Sequence, residues 1–427
     1  MKKKIIVSGP GLTRSGYGEQ CRFALRALRA HEDRFDIYFN PLNWGNTSWV
    51  ADDDEERAWF DTLIRKTMGY DQANGKYDIS LQVTIPNEWK NMATINVGYT
   101  AGIETNLVSP EWIQASMGMN KIIVVSNHSK NVFENTVYTV HNEKTGETGQ
   151  FKCTTPIHVV NFPARNVQPD KIDLDLPCKF NFLTVAQWSP RKNIKNTIRW
   201  FVEEFFDQEV GLVVKANMAK NCLLDRTTIH AKLIAALNKP EYKDRKCKVH
   251  LLHGDMTDEE MSGLFHHSKI KAYINLAHGE GFGLPIFEAV QAGLPVIAPD
   301  WSGHTDFLYA PSNSKTKNKL RPHFARVDYD LSTVQDRAVW QGVIQKDSKW
   351  AFARQGSYKM NLRKVHKEYS RYKSSAKKLQ KHVLKEFTNE KMYKQFADCI
   401  LPESEIVSDA EIESLFESLN QAEKDVG

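Results

Sequence analysis

Two glutamates stand in a glycine-rich stretch between an apolar run and a helical pattern. They are Glu280 and Glu288, within AHGEGFGLPIFEAVQA at residues 277–292. The glycines allow backbone angles and close approaches that a Cβ would prevent, and Pro285 suits the first turn of a helix. Free N–H groups at such a helix start, together with the helix dipole, predict a site for an anion such as a diphosphate. The residues of this predicted site are Gly281, Phe282, Gly283 and Leu284.

The two glutamates themselves predict something other than a phosphate contact, because a carboxylate repels a phosphate. Glu280 and Glu288 are suited instead to accept hydrogen bonds from hydroxyl groups of the same ligand. A ligand with phosphates in the middle and hydroxyl-bearing rings at both ends is a nucleotide sugar. The pattern therefore favours a nucleotide-sugar site, with one glutamate for each ring.

Alternating strands and helices must hold this stretch in place. KIIVSG (4–9) predicts a strand that leads through a glycine loop into a helix, and short apolar runs continue to Pro163. The alternation stops in the segment that follows and restarts at FNFLTVAQW (180–188). Two such series predict an α/β protein with two Rossmann-like, doubly wound domains facing each other across a cleft. We expect an N-terminal domain at residues 1–165, a linker at 166–178, a second domain at 179–355 and a helical C-terminal extension at 356–427.

The C-terminal part is expected to be mostly helical and charged after Trp340, and it turns acidic after Pro402. In SDAEIESLFESLNQ (408–421) the apolar residues fall on one helical face behind a serine cap. That face predicts docking on the body of the protein or, alternatively, on another chain. Its apolar residues are Ile412, Leu415, Phe416 and Leu419.

Composition gives no sign of export or of a membrane anchor. The chain has 427 residues, 41% of them hydrophobic and 26% charged, and its apolar stretches fall far short of the ~20 residues of a membrane span. The six cysteines are scattered without a C-x-x-C pair, which predicts reduced thiols in a cytoplasmic protein and neither a zinc site nor a disulfide framework. A formal net charge of +5 is not by itself diagnostic of nucleic-acid binding.

The E-x7-E pattern, with its preceding strand and the following GLPVIAPDWSGHTDF segment, resembles a known donor-site signature. It is that of retaining GT-B glycosyltransferases of the glycogen-synthase and sugar-transferase type, the group 1 glycosyl transferases. The resemblance implies the GT-B fold and a nucleotide-diphosphate sugar as co-substrate, a UDP-sugar first, with no bound cofactor. It also implies that Glu280 contacts the transferred sugar and that Glu288 contacts the ribose. Two exposed glutamates at a helix start are the alternative.

Two further segments resemble diphosphate-binding parts of the same family. In LTVAQWSPRKNIKNTI, Lys192 matches the family's lysine, Gln187 stands at the arginine position, and Arg191 is the candidate for the missing charge. GPGLTRSGYGEQCRFAL follows the first strand and resembles the N-terminal glycine loop that approaches the donor phosphate. Its candidate residues are Gly11, Gly16 and Gly18.

Many family members place a histidine against the donor sugar in the segment that here reads VGYTAGIETN. This chain has Tyr99 and Glu104 there, which predicts that they line the acceptor side; for Tyr99 a place in the core is an equal alternative. Asp306 stands where the family often has glutamate, and we interpret His304 as a loop residue rather than a catalyst.

The resemblance implies front-face displacement without a protein nucleophile, in which the leaving phosphate takes the proton of the incoming hydroxyl. Lys192, Arg191 and helix N–H groups would stabilise the departing diphosphate, and no metal is implied. Two alternatives stay open. Asp-x-Asp patterns at Asp52–Asp54 and Asp173–Asp175 would suit Mn²⁺, although a charged helix start and a linker explain them better. A non-enzymatic sugar- or nucleotide-binding module would share the donor motifs.

For the acceptor, GPGLTRSGYGEQCRFALRAL, GYTAGIETN and VVSNHSKNVF are similar to segments of single-chain transferases encoded by large tailed bacteriophages. Some of that group attach glucose or arabinose to a hydroxylated cytosine in DNA. This implies hydroxymethylcytosine in phage DNA as the acceptor, and the host cytoplasm as the location. Between Arg363 and Lys385 nine Lys/Arg face one acid, Glu368, and a second basic segment lies near Lys315–His323. Both predict a surface for double-stranded DNA, with a solvated helix face as the alternative.

The alternative acceptor is a cell-surface saccharide or a lipid-linked one. Basic helices would then meet anionic membrane headgroups instead of DNA. An enzyme that glycosylates a base must flip it out of the duplex, and phosphate contacts would offset the cost of unstacking.

Overall fold

Two parallel β-sheets, one in each half of the chain, build the protein. The computed structural model describes residues 2–50, 53–141, 146–311 and 319–403. Each sheet has six strands, and helices connect successive strands. The predicted α/β class with two doubly wound domains is therefore confirmed.

The first sheet lies in residues 3–159. Its strands and those beside it are β1 (Lys3–Gly9), β2 (Phe35–Pro41), β3 (Ile79–Val83), β4 (Ile95–Thr100), β5 (Lys121–Val124), β6 (Val137–His141), β7 (Thr148–Lys152) and β8 (Ile157–Val159). The helices are α1 (Gly16–Arg29), α2 (Glu55–Gln72), α3 (Pro110–Ser116) and α4 (Asn127–Asn135), with a 3₁₀ turn at Pro86–Glu88. The parallel sheet has the order β2-β1-β3-β4-β5-β8, while β6 and β7 form an antiparallel hairpin. Apolar side chains on both faces bury the central strands, as parallel sheets require.

The second sheet lies in residues 181–327. The strands of this half are β9 (Asn181–Gln187), β10 (Gly211–Asn217), β11 (Lys248–Leu252), β12 (Ile270–Ile274), β13 (Val296–Pro299), β14 (Tyr309–Pro311), β15 (Leu320–Pro322), β16 (Ala325–Val327), β17 (Tyr329–Thr333) and β18 (Lys349–Ala353). The helices are α5 (Ile194–Glu204), α6 (Leu223–Leu237), α7 (Asp258–His266), α8 (Leu284–Gln291) and α9 (Thr305–Leu308), with 3₁₀ turns at Pro240–Tyr242 and Asp336–Ala338. The parallel sheet has the order β11-β10-β9-β12-β13-β16. It repeats the arrangement of the first sheet.

Three helices follow the second sheet, and the last of them returns to the first domain. They are α10 (Gln355–Lys367), α11 (Tyr369–Glu386) and α12 (Asn389–Ile400). In α12, Phe396 packs edge-on against Phe23 of α1 at 5.2 Å between ring centroids, and Asp398 accepts a hydrogen bond from buried Arg34 at 2.6 Å. Residues 160–178, which cross between the sheets, contain neither helix nor strand. The chain thus crosses between the domains twice.

A strand pair after the second sheet reaches the first domain. Its second strand lies in the region after Trp340 that was expected to be mostly helical, and that expectation is wrong for this strand. β17 and β18 form an antiparallel hairpin, and we call residues 329–353 the arm. Val343 of the arm is buried in the same apolar cluster as Trp89 and Trp112 of the first domain. The Ser109 hydroxyl also donates to the Gly342 carbonyl at 2.8 Å. The arm therefore ties the second domain to the first.

Several predictions fall outside the described residues. They are the apolar face at 408–421, Asp52 of the first Asp-x-Asp pattern, and residues 315–318 of the second basic segment. Within the described ranges, no helix is both long and apolar enough to cross a membrane.

Candidate active site

The glycine turn that carries Glu280 joins β12 to α8 and presses directly against the first domain. A Cβ on Gly279 would stand 2.2 Å from the Glu104 carbonyl, and one on Gly281 would stand 2.5 Å from the Ala101 carbonyl. These glycines let the backbones of the two domains touch. Gly283, at φ +94°, adopts the left-handed conformation that glycine tolerates best, immediately before α8 begins. The sequence thus uses its glycines here for contact and for a sharp turn.

The backbone of this turn presents donors toward the start of α8. In the described part of the chain, the N–H groups of Gly281, Phe282 and Gly283 have no hydrogen-bond acceptor in the protein. The Phe282 side chain packs among Phe162, Phe287 and Phe307, so only its backbone is available to a ligand. Unpaired N–H groups at a helix start are the usual binding site for an anion.

Glu280 lies at the bottom of the turn and is almost completely buried. Its carboxylate accepts from the Lys192 ammonium at 2.6 and 2.8 Å, from Arg191 at 3.0 Å and from the Asn275 amide at 3.1 Å. Burial alone would raise the pKa of Glu280, but Lys192 and Arg191 outweigh it and lower that pKa to about 2. Glu280 is therefore ionised at any physiological pH. The Ser302 hydroxyl, which accepts from the Glu280 N–H at 2.9 Å, fixes the backbone.

The loop between β9 and α5 supplies both cations. Asn193 takes a left-handed conformation with φ +52° and turns the chain into α5, which leaves Arg191 and Lys192 directed at Glu280. The Arg191 carbonyl accepts from the His278 N–H at 2.8 Å, so this loop and the Glu280 turn are joined through their backbones. The site therefore brings together the three residues for which catalytic roles were predicted, Glu280, Lys192 and Arg191.

Arg191 also crosses the cleft. Its Nε lies 3.2 Å from a carboxylate oxygen of Glu104, which belongs to the first domain. Burial alone would lower the pKa of Arg191, but Glu104 and Glu280 together raise it above its ordinary value. Glu104 was predicted to line the acceptor side, and the structure places it opposite Arg191 and the Glu280 turn.

Glu288 is the fifth residue of α8, about one turn from its start, and borders another part of the cleft. Burial raises its pKa to about 7; Arg165 offsets part of that rise, while Asp258 and Glu19 add to it. The carboxylate faces a cavity of about 230 Å³ between α1, α8, α12 and the crossing segment. The cavity is lined by Glu19, Phe23, Arg26, Phe162, Pro163, Arg165, Asn166, Val167, Leu284, Phe287, Glu288, Gln291, Asn389 and Tyr393. Glu280 is not among these residues and lies outside this cavity, near the start of α8.

The glycine loop after β1 lies at the same sheet edge as the Glu104 loop. The Tyr17 hydroxyl joins them, since it bonds the Thr100 hydroxyl at 2.8 Å and accepts from the Ala101 N–H at 3.3 Å. Gly11 and Gly18 are required by packing, because a Cβ would stand 2.9 Å from Phe39 and 2.1 Å from the Thr13 carbonyl respectively. Gly16 faces open space at the start of α1. Of the three predicted glycines, Gly16 is thus the one open to a ligand.

Two predicted positions lie away from the donor turn. Tyr99 is completely buried between Phe23 and Phe396, so the prediction that it lines the acceptor side is wrong and its place is in the core. Its apolar surroundings on β4 are the physical reason. Gln187 lies exposed at the end of β9 and donates to the Met218 carbonyl. Its side chain is engaged there rather than with the Glu280 cluster.

Asp306 and His304 hold the region behind the Glu280 turn. One carboxylate oxygen of Asp306 accepts from the Asn127 N–H at 2.9 Å, the Asn127 amide at 3.1 Å and the Asn161 amide at 3.0 Å, all in the first half of the chain. His304 is fully buried, bonds the Pro299 carbonyl at 2.7 Å, and has its pKa lowered by burial. Both residues are structural in this arrangement, and Asp306 ties the two domains together.

The sequence reasoning missed Asn275 and Ser302, which orient Glu280. Asn275 comes directly after the apolar strand β12, and a polar residue at that point was a usable signal. Ser302 adopts φ +78°, an angle that is uncommon for serine and that nothing in the sequence indicates. Both act on Glu280 from its own domain.

The Asp-x-Asp patterns have other roles where the structure describes them. Asp54 caps α2 by accepting from the Arg57 N–H at 2.8 Å, and Asp173 and Asp175 lie exposed in the crossing segment. Among the described residues, no group of three or more His, Cys, Asp or Glu is placed to hold a metal ion. All six cysteines are free thiols.

The two predicted basic segments lie side by side. His323, after β15, bonds Ser375 of α11 at 3.0 Å, which brings exposed Lys319 and Arg321 next to the cations of α11. Tyr369 and Tyr372, which interleave these cations in the sequence, are half-buried, and Tyr369 packs edge-on against Phe180. We call this the basic surface. Its exposed cations in the described residues are Lys319, Arg321, Arg363, Lys364, Lys367, Arg371, Lys377, Lys378, Lys381 and Lys385.

Comparison with known proteins agrees with this geometry. Residues 242–396, which include both glutamates, match the family described as Family 4 Glycosyltransferase in conflict systems. No curated protein matches the sequence.

Solved structures resemble the whole chain. The sucrose-phosphate synthase of Thermosynechococcus elongatus is 11% identical, with 99% of this chain and 100% of that one covered at a TM-score of 0.56. HepE of Anabaena, solved in complex with UDP and glucose, is 14% identical, with 93% and 98% covered at a TM-score of 0.55. A glycosyltransferase from Rickettsia africae ESF-5 is 10% identical, with 94% and 99% covered at a TM-score of 0.55.

At such identities the solved structures support the fold alone, and the family match covers the region around Glu280 and Glu288. Both agree with the two facing parallel sheets and the α8 turn described above. The chain therefore has the GT-B glycosyltransferase fold, and the family match adds support for a glycosyltransferase activity.

Proposed function

We propose that this protein is a retaining glycosyltransferase that moves a sugar from a nucleotide-diphosphate sugar to a hydroxyl group. One observation carries the proposal: the N–H groups of Gly281–Gly283, unpaired within the described residues, lie in the same turn as Glu280, whose buried carboxylate pairs with Lys192 of the loop before α5. Backbone donors beside a buried carboxylate suit a ligand in which phosphates and hydroxyls stand next to each other.

In this proposal the ion pairs around Glu280 are exchanged when the donor binds. Lys192 and Arg191 turn to the diphosphate together with the N–H groups at the start of α8, including that of Leu284. Glu280 then accepts hydrogen bonds from hydroxyls of the transferred sugar, and Glu288 accepts them from the ribose. Gly16 is the place where the first domain approaches the phosphate, because it is the open position of the glycine loop.

The reaction is a displacement on one face of the sugar. The acceptor oxygen forms a bond to the anomeric carbon while the bond from that carbon to the diphosphate oxygen breaks. The electron pair of the broken bond stays on the diphosphate, which also takes the proton of the acceptor hydroxyl. Lys192, Arg191 and the backbone donors stabilise the negative charge that develops on the leaving group. The closed cleft holds the two substrates together.

For the donor we propose a UDP-sugar. The resemblance of the donor motifs supports this choice, as does the fold shared with HepE, whose structure holds UDP and glucose. A thermal-shift screen against a panel of nucleotide sugars tests it, followed by a measurement of slow donor hydrolysis without an acceptor. A protein that only binds sugars or nucleotides would be stabilised by the hit without hydrolysing it. Full activity in excess EDTA is expected, because the reaction as proposed uses no metal.

For the acceptor we propose a hydroxymethylated cytosine in DNA, with the host cytoplasm as the location for a phage-encoded enzyme. The basic surface supports this choice. Arg363 and Arg371 are paired with Glu204 and Glu368, but within the described residues Lys378 and Lys381 have no ion pair. Unpaired cations on one face are what phosphate neutralisation needs. The basic surface also lies near the proposed donor site. Lys373 of α11 bonds the Gly293 carbonyl just beyond the C-terminal end of α8, and the eight residues of α8 span about 12 Å from that end to the Gly281–Gly283 turn.

A saccharide acceptor is the second candidate, and the opposite rim of the cleft favours it. There the ring of Trp44 packs against that of Tyr17 at 4.4 Å between centroids, beside the Glu104 carboxylate. An aromatic pair next to a carboxylate suits a neutral ring that carries hydroxyls, and it repels phosphates.

One experiment separates the two acceptors. Purified protein with the donor found in the screen is offered hydroxymethylated duplex DNA, unmodified duplex DNA and lipid-linked saccharides, and the products are read by mass spectrometry. Transfer to the hydroxymethylated duplex, with binding that weakens steeply with salt, supports DNA. The double variant Lys378→Glu/Lys381→Glu should then lose DNA affinity, while Lys232→Glu on exposed α6 serves as the control for added negative charge. Transfer to a saccharide and none to DNA would overturn the DNA acceptor.

A further inference from the structure

The family resemblance implies an arginine for the diphosphate at the position of Gln187, and the structure shows what stands there and which arginine lies nearby. Gln187 at that position is exposed and bonds the Met218 carbonyl. Arg191, four residues later, reaches Glu280 instead. The guanidinium therefore belongs to a different backbone position, and other residues must hold it in the right direction.

Hydrogen bonds hold one terminal nitrogen of Arg191, and an ion pair holds its Nε. The terminal nitrogen donates to the Gly279 carbonyl at 2.8 Å and to Glu280 at 3.0 Å, and Nε lies 3.2 Å from the Glu104 carboxylate. The second terminal nitrogen has no hydrogen-bond partner among the described residues. A guanidinium is a rigid plane, so holding Nε and one terminal nitrogen fixes the direction of the other. Arg191 thus presents one free edge.

Glu104 comes from the opposite domain, and its loop is held in position from two sides. On one side the Glu104 carbonyl touches the bare backbone of Gly279, where a Cβ would not fit. On the other side Asn106 exchanges two hydrogen bonds with Lys349 of the arm, at 3.0 Å to its carbonyl and 2.6 Å from its N–H. Both contacts are made by the second domain. The Glu104 carboxylate therefore reaches Arg191 when the two domains are together.

We propose that Glu104 is a positioning residue of the donor site. Its carboxylate pairs with the Nε side of the Arg191 guanidinium, so that the free edge of the guanidinium faces the diphosphate as it leaves. The role of the arginine absent at Gln187 is thereby filled by a pair of residues from two domains, and the site is complete only when the cleft is closed. This inference rests on the proposed function.

The sequence suggested another role for Glu104, contact with the acceptor, and donor hydrolysis without acceptor distinguishes the two. A residue that touches only the acceptor does not affect hydrolysis by water. A residue that orients Arg191 affects hydrolysis and transfer by the same factor, because both reactions release the same diphosphate. Since removal of a negative charge also favours anion binding, turnover is the readout rather than UDP affinity.

The experiment compares Glu104→Ala, Glu104→Gln and Arg191→Lys with Glu111→Ala, an exposed glutamate at the start of α3, as the control. We expect Glu104→Ala to lower kcat for hydrolysis and for transfer equally, by roughly ten-fold, with the KM for the acceptor unchanged. Glu104→Gln keeps the size of the side chain but removes the charge of the ion pair, so it should lower both rates too. Arg191→Lys keeps the charge but loses the Nε that pairs with Glu104, so it should match Glu104→Ala, and the double variant should be no slower than either single one.

Two results would overturn the inference alone: unchanged hydrolysis by Glu104→Ala, or a loss confined to transfer with a raised KM for the acceptor. If Glu104→Ala does not fold, Glu104→Gln decides by the same comparison of hydrolysis with transfer, with UDP-binding calorimetry as the check of folding. Wild-type protein that hydrolyses no nucleotide sugar would instead overturn the proposed function, and this inference with it.

Discussion

The ammonium of Lys192 lies 2.6 Å from the carboxylate of Glu280, and only 12% of the lysine side chain and 6% of the glutamate side chain are exposed. Burying such a pair costs several kcal/mol of desolvation for each ion, which its own attraction repays only with good geometry. Here Arg191 and Asn275 complete the bonding of the carboxylate. A cluster of this kind is a poor way to gain stability. It is a suitable way to keep two cations and a carboxylate ready for a ligand with phosphates and hydroxyls.

Glu280→Gln and Lys192→Ala should each lower turnover by about 100-fold or more, because each removes a group that acts on the transferred sugar or the departing diphosphate. Single-turnover kinetics with the donor found by thermal shift measures this. We expect the fold to persist, as judged by circular dichroism, since Arg191 and Asn275 can still bond the side chain at position 280 in both variants. Thermal stability should fall, because either change leaves a buried charge without its closest partner.

Lys195→Ala is the matched control for Lys192→Ala. Lys195 lies three residues later on the exposed side of α5. Its removal should leave turnover and stability unchanged. Wild-type rates in both Glu280→Gln and Lys192→Ala would show that the site has been assigned wrongly.

Two glycine-to-alanine changes should differ sharply. Gly281→Ala places a Cβ 2.5 Å from the Ala101 carbonyl, a backbone atom of the opposite domain, so the domains must separate locally. We expect a loss of stability of about 1–3 kcal/mol in denaturant unfolding and a large loss of turnover. Gly16→Ala meets nothing within 4 Å and should leave stability unchanged. If Gly16 approaches the donor phosphate as proposed, the KM for the donor will rise in that variant even so.

The sequence predicted the features that depend on neighbouring residues and not those that depend on contacts between distant segments. The alternation of strands and helices is a local pattern, and so is the E-x7-E turn, where glycines, proline and carboxylates stand within sixteen residues. Contacts between distant segments left no such pattern. Nothing near Glu104 indicates that it meets Arg191. For Tyr99 the sequence leaves the acceptor side and the core equally open, whereas in the structure its ring packs between Phe23 and Phe396.

The arm shows the same limit. β17 and β18 pair across fifteen intervening residues, and the charged sequence after Trp340, which includes β18, indicates helices instead. What stabilises the hairpin is Val343 in the core of the other domain and the bonds of Lys349 to Asn106. Those partners lie more than two hundred residues away in the chain. Local secondary-structure propensity could not predict these contacts.

Glu288 should make donor binding depend on pH near neutrality. Its pKa is about 7, whereas that of Glu280 is about 2 and that of buried His278 about 4, so these two do not titrate in this range. The ionised form is the better acceptor for ribose hydroxyls. The affinity for an intact nucleotide sugar, measured by calorimetry, should therefore rise between pH 6 and pH 8 in the wild type, since its diphosphate carries no proton that titrates in this range. In Glu288→Gln this rise should disappear.

The same shift has an effect on stability of the opposite sign. A carboxyl whose pKa is raised on folding, here from 4.5 to about 7, binds a proton more tightly in the folded state. Its contribution is complete at low pH and is lost as the pH rises through 7. Glu288→Gln should thus raise the thermal midpoint at pH 8 relative to the wild type and have little effect at pH 5. An equal effect at both pH values would contradict the raised pKa of Glu288.

Asp306 should control the closure of the cleft, because one of its oxygens accepts three hydrogen bonds from Asn127 and Asn161 across the domain boundary. Asp306→Ala leaves these donors unpaired, at a cost of about 1–3 kcal/mol. We expect a lower thermal midpoint, and also a lower kcat, since Arg191 meets Glu104 only in the closed arrangement. Asp300→Ala is the matched control: it removes the partner of Tyr309 at 2.7 and 2.8 Å within one domain, so it should lower stability and spare kcat. Equal kcat values in the two variants would mean that the bonds of Asp306 serve stability alone.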